Sequence, residues 1–381
     1  MDFSWSKKQR EQYEQAYSFA QTELSAPVPN EGPVSAFPIE KWNLCGQFGL
    51  MGLSLPQAYG GMGLDALTSA HVFEAFGKGC PDRGLLFSAA AHLFAAAMPI
   101  AAFGRAELKQ QLLPQLAAGA RIGANAITEP EAGSDVTAIQ TRAEEQGDGY
   151  ILNGAKSFVT NGPVADVVVT YAVTNPKAGF LGISGFAVEK GTPGMTLGQA
   201  FGKMGLTTAQ GGWVTFENCC VPKMNRLGQA GEGAAIFRQS MQWERAVLFA
   251  LYLGMLERQL EKTVAFTQRR KQFGKSLSKH QAVAHRLADM KLRLEQARWL
   301  LYRACWALDQ GQDATLEIAL SKLAVSEAAI QSSMDAVHLH GGEGYKTDGE
   351  MEAMLRDAIP ATLFSGTSEI QRDLIASRLS L

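Results

Sequence analysis

A single carboxylate stands in an otherwise apolar stretch at residues 242–251. This residue, Glu244, has a side chain whose burial would raise its pKa toward the pH at which a general base works best. Its neighbour Arg245 does not share a helix face with it, because adjacent residues on a helix point in different directions. An unpaired buried acid is costly. We therefore interpret Glu244 as a candidate general base, with a structural ion pair as the alternative.

Four other segments combine hydroxyl, amide, cationic and aromatic side chains with turn-forming residues. Proline fixes φ and glycine permits unusual backbone angles, so loops of this composition can hold backbone amides at a defined place. Taken singly, each segment is also typical of a solvated turn. The segments are 126–135 (AITEPEAGSD), 156–162 (KSFVTNG), 270–275 (RKQFGK) and 364–372 (FSGTSEIQR).

Composition and charge narrow the class of protein. The chain has 381 residues, of which 46% are hydrophobic and 19% charged, enough for two or three domains with their own cores. A net charge of -2 gives no support for nucleic-acid binding. The five cysteines lack CxxC spacing and the six histidines form no HExxH pattern, so no metal site is expected.

The N-terminal residues Met1–Trp5 carry an early acid and no apolar core of a secretion signal, and no Arg-rich transit peptide is visible, so a reduced, cytoplasmic location is expected. Residues 84–104 contain no Asp, Glu, Lys or Arg and nominally reach the length of a membrane span. This stretch is rich in alanine and contains His92 and Pro99. It is therefore predicted to form a buried helix pair, with no membrane as a partner.

Three blocks of secondary structure are predicted along the chain. Residues 1–120 show apolar positions at helical spacing, and residues 121–231 contain short β-rich runs at 167–171, 185–188 and 213–216. Residues 232–381 return to helical periodicity, beginning with a long amphipathic helix from near Ala234 to Arg270. Helices, a small β-domain and helices again form an α+β protein of segregated blocks.

In their order and spacing, the four segments resemble those of the acyl-CoA dehydrogenase superfamily over nearly the whole chain. The resemblance implies an N-terminal α-helical domain, a middle β-domain with flavin and substrate contacts, and a C-terminal four-helix bundle. It also implies an FAD cofactor whose ring and pyrophosphate are held by residues of these segments and of neighbouring ones. Those residues are Thr128, Ser134, Phe158, Thr160, Arg270, Gln272, Phe273, Gln281, Gly341, Gly342, Thr367 and Glu369.

Two positions depart from the usual family pattern around the cofactor. Phe158 stands where many members have Trp, and His338 stands where a Gln usually precedes the Gly pair. Arg270, Gln272 and Phe273 resemble the segment that reaches the FAD of a neighbouring subunit. A homotetramer or homodimer is therefore expected.

In most members of the family the base is a Glu that directly precedes a Gly-Thr pair near the C-terminus, and this chain departs from that pattern. Here that residue is Ser365, which is expected only to leave room. The resemblance to a minority branch that includes the isovaleryl-CoA dehydrogenases places the base at Glu244. Trp243, Arg245, Phe364 and Ser365 are predicted to lie in the substrate pocket.

Segments such as 239–246, 253–261 and 363–367 are similar to one subgroup, the L-prolyl-[peptidyl carrier protein] dehydrogenases of secondary metabolism. The resemblance implies oxidation of a prolyl thioester on a carrier protein to a dehydroprolyl or pyrrolyl-2-carboxyl thioester. The alternatives are a short- or branched-chain acyl-CoA dehydrogenase using Glu244, a flavin oxidase or monooxygenase, and a catalytically silent FAD-binding scaffold. An electron-transfer flavoprotein and oxygen both remain open as the electron acceptor.

Overall fold

The computed structural model describes residues 4–26, 28, 32 and 34–379, and its first block is helical. Residues 1–3, which entered the expectation about targeting, lie outside the described residues. Helix α1 begins with a capping box in which Ser6 and Gln9 satisfy each other's backbone amides. The helices of this block are α1 Lys7–Glu23, α2 Ile39–Phe48, α3 Ala66–Gly79, α4 Arg83–Ala90, α5 Met98–Phe103 and α6 Ala106–Ala117.

A π-helical segment, Ala91–Ala97, joins α4 to α5 without a break. The expected helix pair is therefore wrong: Arg83–Phe103 is one helix of 21 residues. Pro99 lies directly after the π-helical segment, as the second residue of α5, and the helix continues through it. By length and composition this helix could cross a membrane, but 83% of its apolar window is buried within the fold, as the sequence predicted.

The second block is a sheet with the strand order β6-β7-β3-β2-β4-β5-β8. Strand β1 pairs in parallel with β4, with Gly123 opposite Val167. Side chains such as Tyr150, Phe186 and Phe216 give the sheet a core of its own. The three predicted β-rich runs lie in β4, β5 and β7. The strands are β1 Gly123–Ala126, β2 Arg142–Gln146, β3 Gly149–Thr160, β4 Val167–Val173, β5 Ile183–Glu189, β6 Met195–Leu197, β7 Gly211–Pro222 and β8 Arg226–Leu227.

The third block is helical: α8, α9 and α10 pack against one another, and α13 packs against α10. A second π-helical segment, Glu244–Leu248, joins α7 to α8, so the predicted long amphipathic helix contains a wider turn that begins at Glu244. The elements are α7 Gly233–Trp243, α8 Ala250–Arg269, the hairpin β9 Lys271–Gln272 and β10 Lys275–Ser276, α9 Gln281–Asp309, α10 Thr315–His340, α11 Gly342–Tyr345, α12 Glu350–Ala358 and α13 Ser368–Arg378.

Helices α3 and α8 cross with their backbones in contact, which fixes the first block against the third. A Cβ on Gly77 would lie 2.2 Å from the carbonyl oxygen of Leu251, and one on Gly254 would lie 2.1 Å from that of Glu74. Only glycine allows this approach. The two helical blocks share one hydrophobic core, so the predicted α+β architecture of helical, β and helical domains is confirmed.

Candidate active site

Glu244 is the first residue of the π-helical segment between α7 and α8. Only 8% of the residue is exposed. Burial raises the pKa of its carboxyl, and a hydrogen bond from Ser365 and the charge of Arg245 oppose that rise without cancelling it. Such wide helical turns are frequent at functional sites. A carboxyl with a raised pKa is suited to accept a proton.

Ser365 contacts the candidate base directly. Its hydroxyl donates a hydrogen bond to Oε1 of Glu244, and Nε of Arg245 donates to the carbonyl oxygen of Ser365 at 2.6 Å. The expectation that Ser365 only leaves room is therefore wrong. Glu244 and Arg245 do not face each other, as predicted, but both reach the same serine. No sequence pattern predicts this contact, because 121 positions separate its two residues.

Two predicted pocket residues, Trp243 and Phe364, directly precede Glu244 and Ser365 in the chain and contribute aromatic surface next to this contact. The ring of Phe364 lies 4.7 Å from that of Phe87 and 5.2 Å from that of Phe249. Trp243 stacks on Phe94, a residue of the other π-helical segment, with 6.1 Å between ring centroids. Both aromatic residues are half-buried, so they anchor the surrounding core and also border the site.

The β-domain contributes Tyr171, which the sequence interpretation did not select. Tyr171 is fully buried in β4. Burial raises the pKa of its hydroxyl, and the nearby charge of Glu244 raises it further, so the phenol stays protonated. Alternation along a β-strand predicts a core residue at this position and gives no indication of its proximity to Glu244.

The loop that carries Thr128 is tied to strand β3 by a buried ion pair. Nζ of Lys156 lies 2.7 Å from Oε1 of Glu129, and both side chains are buried. The same carboxylate accepts hydrogen bonds from the amide and hydroxyl of Thr141. The amide of Ser157 donates to the carbonyl oxygen of Thr128 at 2.8 Å. Two of the four sequence segments are thereby brought together, through a pair that the sequence interpretation missed.

Phe158 lies in a bulge of β3 that turns its ring outward. The register between β3 and β7 shifts between Lys156 and Val159, and Phe158 has a φ of 54°. Bulges of this kind re-aim side chains next to functional sites. As a result 72% of Phe158 is exposed, and Thr160 follows half-buried at the end of the strand.

The turn after β3 is anchored from inside the fold. Asn161 is buried with a φ of 63°. Its side-chain amide donates to the carbonyl oxygens of Ser88 at 3.0 Å and Gly123 at 3.1 Å. Helix α4 and strand β1 together therefore fix the turn that follows Phe158 and Thr160. Ser134, on the neighbouring loop, is exposed.

The predicted residues Arg270, Gln272 and Phe273 lie at the end of α8 and on the β9–β10 hairpin that follows it. Arg270, Gln272 and Phe273 are exposed, as is Gln281 at the start of α9. The ring of Phe273 is 93% exposed, and its φ is 53°. An exposed aromatic ring on a tight turn is what contact with a second molecule would require.

The remaining predicted residues lie at the ends of α10 and α13. Gly341 and Gly342 are exposed, and an added Cβ on either would meet nothing within 4 Å. Thr367 caps α13 by accepting a hydrogen bond from the amide of Ile370. Glu369 is exposed in the first turn of that helix. Among the residues that the structure describes, no three His, Cys, Asp or Glu side chains are grouped to hold a metal ion.

Comparison with protein families gives three matches in chain order. The N-terminal, middle and C-terminal domains of acyl-CoA dehydrogenase match residues 6–120, 124–219 and 231–380. A protein of Pseudomonas fluorescens Pf-5 called L-prolyl-[peptidyl-carrier protein] dehydrogenase is 51% identical, with 100% of both chains covered. A protein of the same name from a Serratia species is 44% identical and covers 100% of this chain and 99% of its own.

A solved structure described as PigA with FAD and proline has the same fold over 100% of both chains. Its TM-score is 0.95 and its sequence is 44% identical.

Proposed function

The chain belongs to the acyl-CoA dehydrogenase family, and on this premise we propose that it is an FAD-dependent dehydrogenase of an L-prolyl thioester held on a peptidyl carrier protein. The observation that carries the proposed chemistry is the buried carboxylate of Glu244 with the Ser365 hydroxyl as its hydrogen-bond donor. The relatives that share its full length support the choice of substrate, because two of them are named for the prolyl carrier protein.

The side chains at the predicted cofactor positions fit an FAD. The exposed ring of Phe158 supplies an apolar face beside the hydroxyl of Thr160, which suits a flat flavin. Thr128 and Ser134 supply hydroxyls on a loop held by a buried ion pair. Arg270 supplies the cation that a pyrophosphate requires. When bound, FAD would accept a hydride from the Cβ of the substrate.

Glu244 performs the proton transfer in this proposal. The thioester carbonyl acidifies the Cα–H bond of the prolyl group, and the Glu244 carboxylate takes that proton. Trp243 and Phe364 pack on Phe94 and Phe87, and in this proposal their aromatic surfaces border the prolyl group and keep water from it. They also shorten the pocket, which favours a small ring over a long acyl chain. One cycle produces a dehydroprolyl thioester, and a second oxidation would lead to a pyrrolyl-2-carboxyl thioester.

Partners and location complete the proposal. The exposed hairpin residues Arg270 and Phe273 would contact the FAD of a second copy of the chain, in a homodimer or homotetramer. An electron-transfer flavoprotein or oxygen would remove the electrons. We place the reaction in the cytoplasm, in the biosynthesis of a secondary metabolite.

Air-free reduction of the bound flavin tests the proposal. L-prolyl-loaded carrier protein and isovaleryl-CoA are added separately to the wild-type protein and to Glu244→Gln, and flavin absorbance is followed. Bleaching by the prolyl carrier protein, lost in the variant, is the expected result. Bleaching by the CoA ester alone would keep Glu244 as base and refute the prolyl substrate. No bleaching by either would favour an FAD-binding scaffold.

A further inference from the structure

The turn that carries Ser365 is held at two successive carbonyl groups. Nε of Arg245 donates to the carbonyl oxygen of Ser365 at 2.6 Å, and Nε2 of Gln371 donates to that of Gly366 at 3.0 Å. A Cβ on Gly366 would lie 3.0 Å from both donor side chains. The backbone of this turn is therefore closely packed and fixed relative to the Glu244 segment.

Ser365 occupies a backbone conformation that glycine adopts more easily. Its φ is 55°, in the left-handed region that is uncommon for other residues. A glycine here would relieve the conformational cost, but it would remove the hydroxyl that points at Glu244. The serine thus supplies a hydrogen-bond donor that a fixed turn directs at Glu244. A residue that only left room for the substrate would need neither the hydroxyl nor this backbone conformation.

Other charged or titratable groups near the Glu244 segment are engaged elsewhere or lack charge. Tyr171 of β4 stays protonated, and Cys305 of α9 donates its S–H to the carbonyl oxygen of Ala246. On α3, Glu74 is bound by Arg298 and Tyr302. His92 of the first π-helical segment uses both ring nitrogens for backbone contacts. Lys322 of α10 lies over the ring of Phe249.

From this geometry we propose that Ser365 is the positioning residue of Glu244, and that Arg245 in turn holds Ser365. The serine hydroxyl fixes the orientation of the carboxylate and favours its ionised form against the effect of burial. Arg245 contributes a positive charge as well, but its guanidinium nitrogen Nε is committed to the serine carbonyl. The consequence for catalysis rests on the proposed function, whereas the pairing itself does not.

Two variants that remove the hydroxyl in different ways test the proposal. Ser365→Gly also relieves the left-handed strain, and Ser365→Ala keeps it. Infrared spectroscopy of the FAD-bound protein follows the C=O stretch of the protonated carboxyl, identified by its loss in Glu244→Gln. A hydrogen bond to a charged group typically shifts such a titration by about one pH unit. Both variants are expected to titrate at higher pH than the wild type by about that amount.

The acidic limb of flavin reduction by the prolyl carrier protein is expected to move by the same amount and in the same direction. Ser326→Ala is the matched control, because this buried serine bonds only carbonyl oxygens of its own helix. Its titration is expected to coincide with that of the wild type. Thermal unfolding and FAD content are measured for every variant, and Ser365→Gly carries the test if Ser365→Ala does not fold.

An infrared shift in neither Ser365 variant, or in only one of them, would overturn the proposal, because the hydroxyl is what both lack. A shift in both together with an unreactive wild-type flavin would uphold the pairing and refute the proposed substrate. Failure of the Ser365–Glu244 pairing and failure of the proposed prolyl substrate therefore give different results.

Discussion

Two buried carboxylates of this protein lie in opposite electrostatic environments. Burial raises the pKa of Glu244, and its hydrogen bond from Ser365 does not reverse that rise. Burial acts on Glu129 in the same direction, but the charge and hydrogen bond of Lys156 bring its pKa below the usual range. Glu129 is stabilised in its ionised form and holds two chain segments together. Glu244 is only partly compensated and remains available for proton transfer. The difference separates a structural acid from a reactive one.

The largest expected effect is on catalysis at the first of these acids. Glu244→Gln is expected to lower the rate of flavin reduction by about 10²–10⁴-fold, because it removes the general base while keeping the shape of the side chain. Its FAD content and unfolding temperature are expected to stay close to those of the wild type. Stopped-flow absorbance under air-free conditions measures the rate. A variant that retains wild-type reduction would assign the base elsewhere.

The second acid is expected to affect stability. Lys156→Met leaves the Glu129 carboxylate buried without its cation, and breaking such a pair costs about 3–5 kcal/mol of unfolding free energy. Chemical denaturation measures the loss. Lys223→Met is the matched control, because Lys223 pairs with Glu145 at 2.6 Å on an exposed surface. Loss of that pair is expected to cost less than about 1 kcal/mol. Equal losses in the two variants would contradict the structural role of Glu129.

The third prediction concerns an exposed cation, Arg270, which is expected to affect FAD binding and not stability. Arg270→Gln is expected to weaken FAD binding by about 10–100-fold, the range for loss of one charge-assisted hydrogen bond. The unfolding free energy of the FAD-free protein should hardly change, because Arg270 is exposed. Fluorescence titration with FAD measures the affinity. Arg269→Gln, which alters the preceding exposed arginine, serves as the control and should bind FAD as the wild type does.

The smallest expected effect is a difference in the pH dependence of stability. Glu129 has a lowered pKa, so its contribution is present above the unfolded pKa and is lost as pH falls through the folded value. Glu244 has a raised pKa, so the wild type loses stability as pH rises from the unfolded value to the folded one. Glu129→Gln should be less stable than the wild type near neutral pH, and this difference in unfolding free energy should shrink as the pH falls. The unfolding free energy of Glu244→Gln, relative to that of the wild type, should increase as the pH rises. Each slope is at most about 1.4 kcal/mol per pH unit. Chemical denaturation between acid and neutral pH measures both differences. If the differences for the two variants change with pH in the same direction, the two carboxylates do not lie in opposite environments.

Local patterns in the sequence were sufficient to predict the β-rich runs and the α+β order of blocks, whereas the choice of Glu244 as the base also needed the family resemblance and stays a prediction. A lone acid among apolar residues is visible in any reading of the helix that contains Glu244. The π-helical turn at that residue was not predictable, because the apolar periodicity continues through it. The pair of helices predicted in 84–104 followed from Pro99, a residue that usually breaks a helix, whereas the structure continues the helix through it.

The interactions that tune the site could not be predicted, because they join distant parts of the chain. Ser365 meets Glu244 only after the C-terminal turn folds back on the π-helical segment between α7 and α8. The pairing of Glu129 with Lys156 requires the loop after β1 to lie on β3. The outward direction of Phe158 depends on a bulge whose register is set by the partner strand. The sequence motifs selected the segments that contain these residues. The contacts between the segments depend on the tertiary structure.

The crossing of α3 and α8 constrains how proteins of this fold can be recombined. Gly77 and Gly254 lie in the first and third blocks, and each faces a backbone carbonyl of the other helix. A chimera that takes its N-terminal block from one parent and its C-terminal block from another must therefore inherit a compatible pair at this crossing. A methyl group from either side would force the helices apart and displace the π-helical turn that carries Glu244. The β-domain has a core of its own, but its residues Val167, Val169 and Tyr171 also pack into the core of the helical blocks, so an exchanged β-domain must match that surface as well.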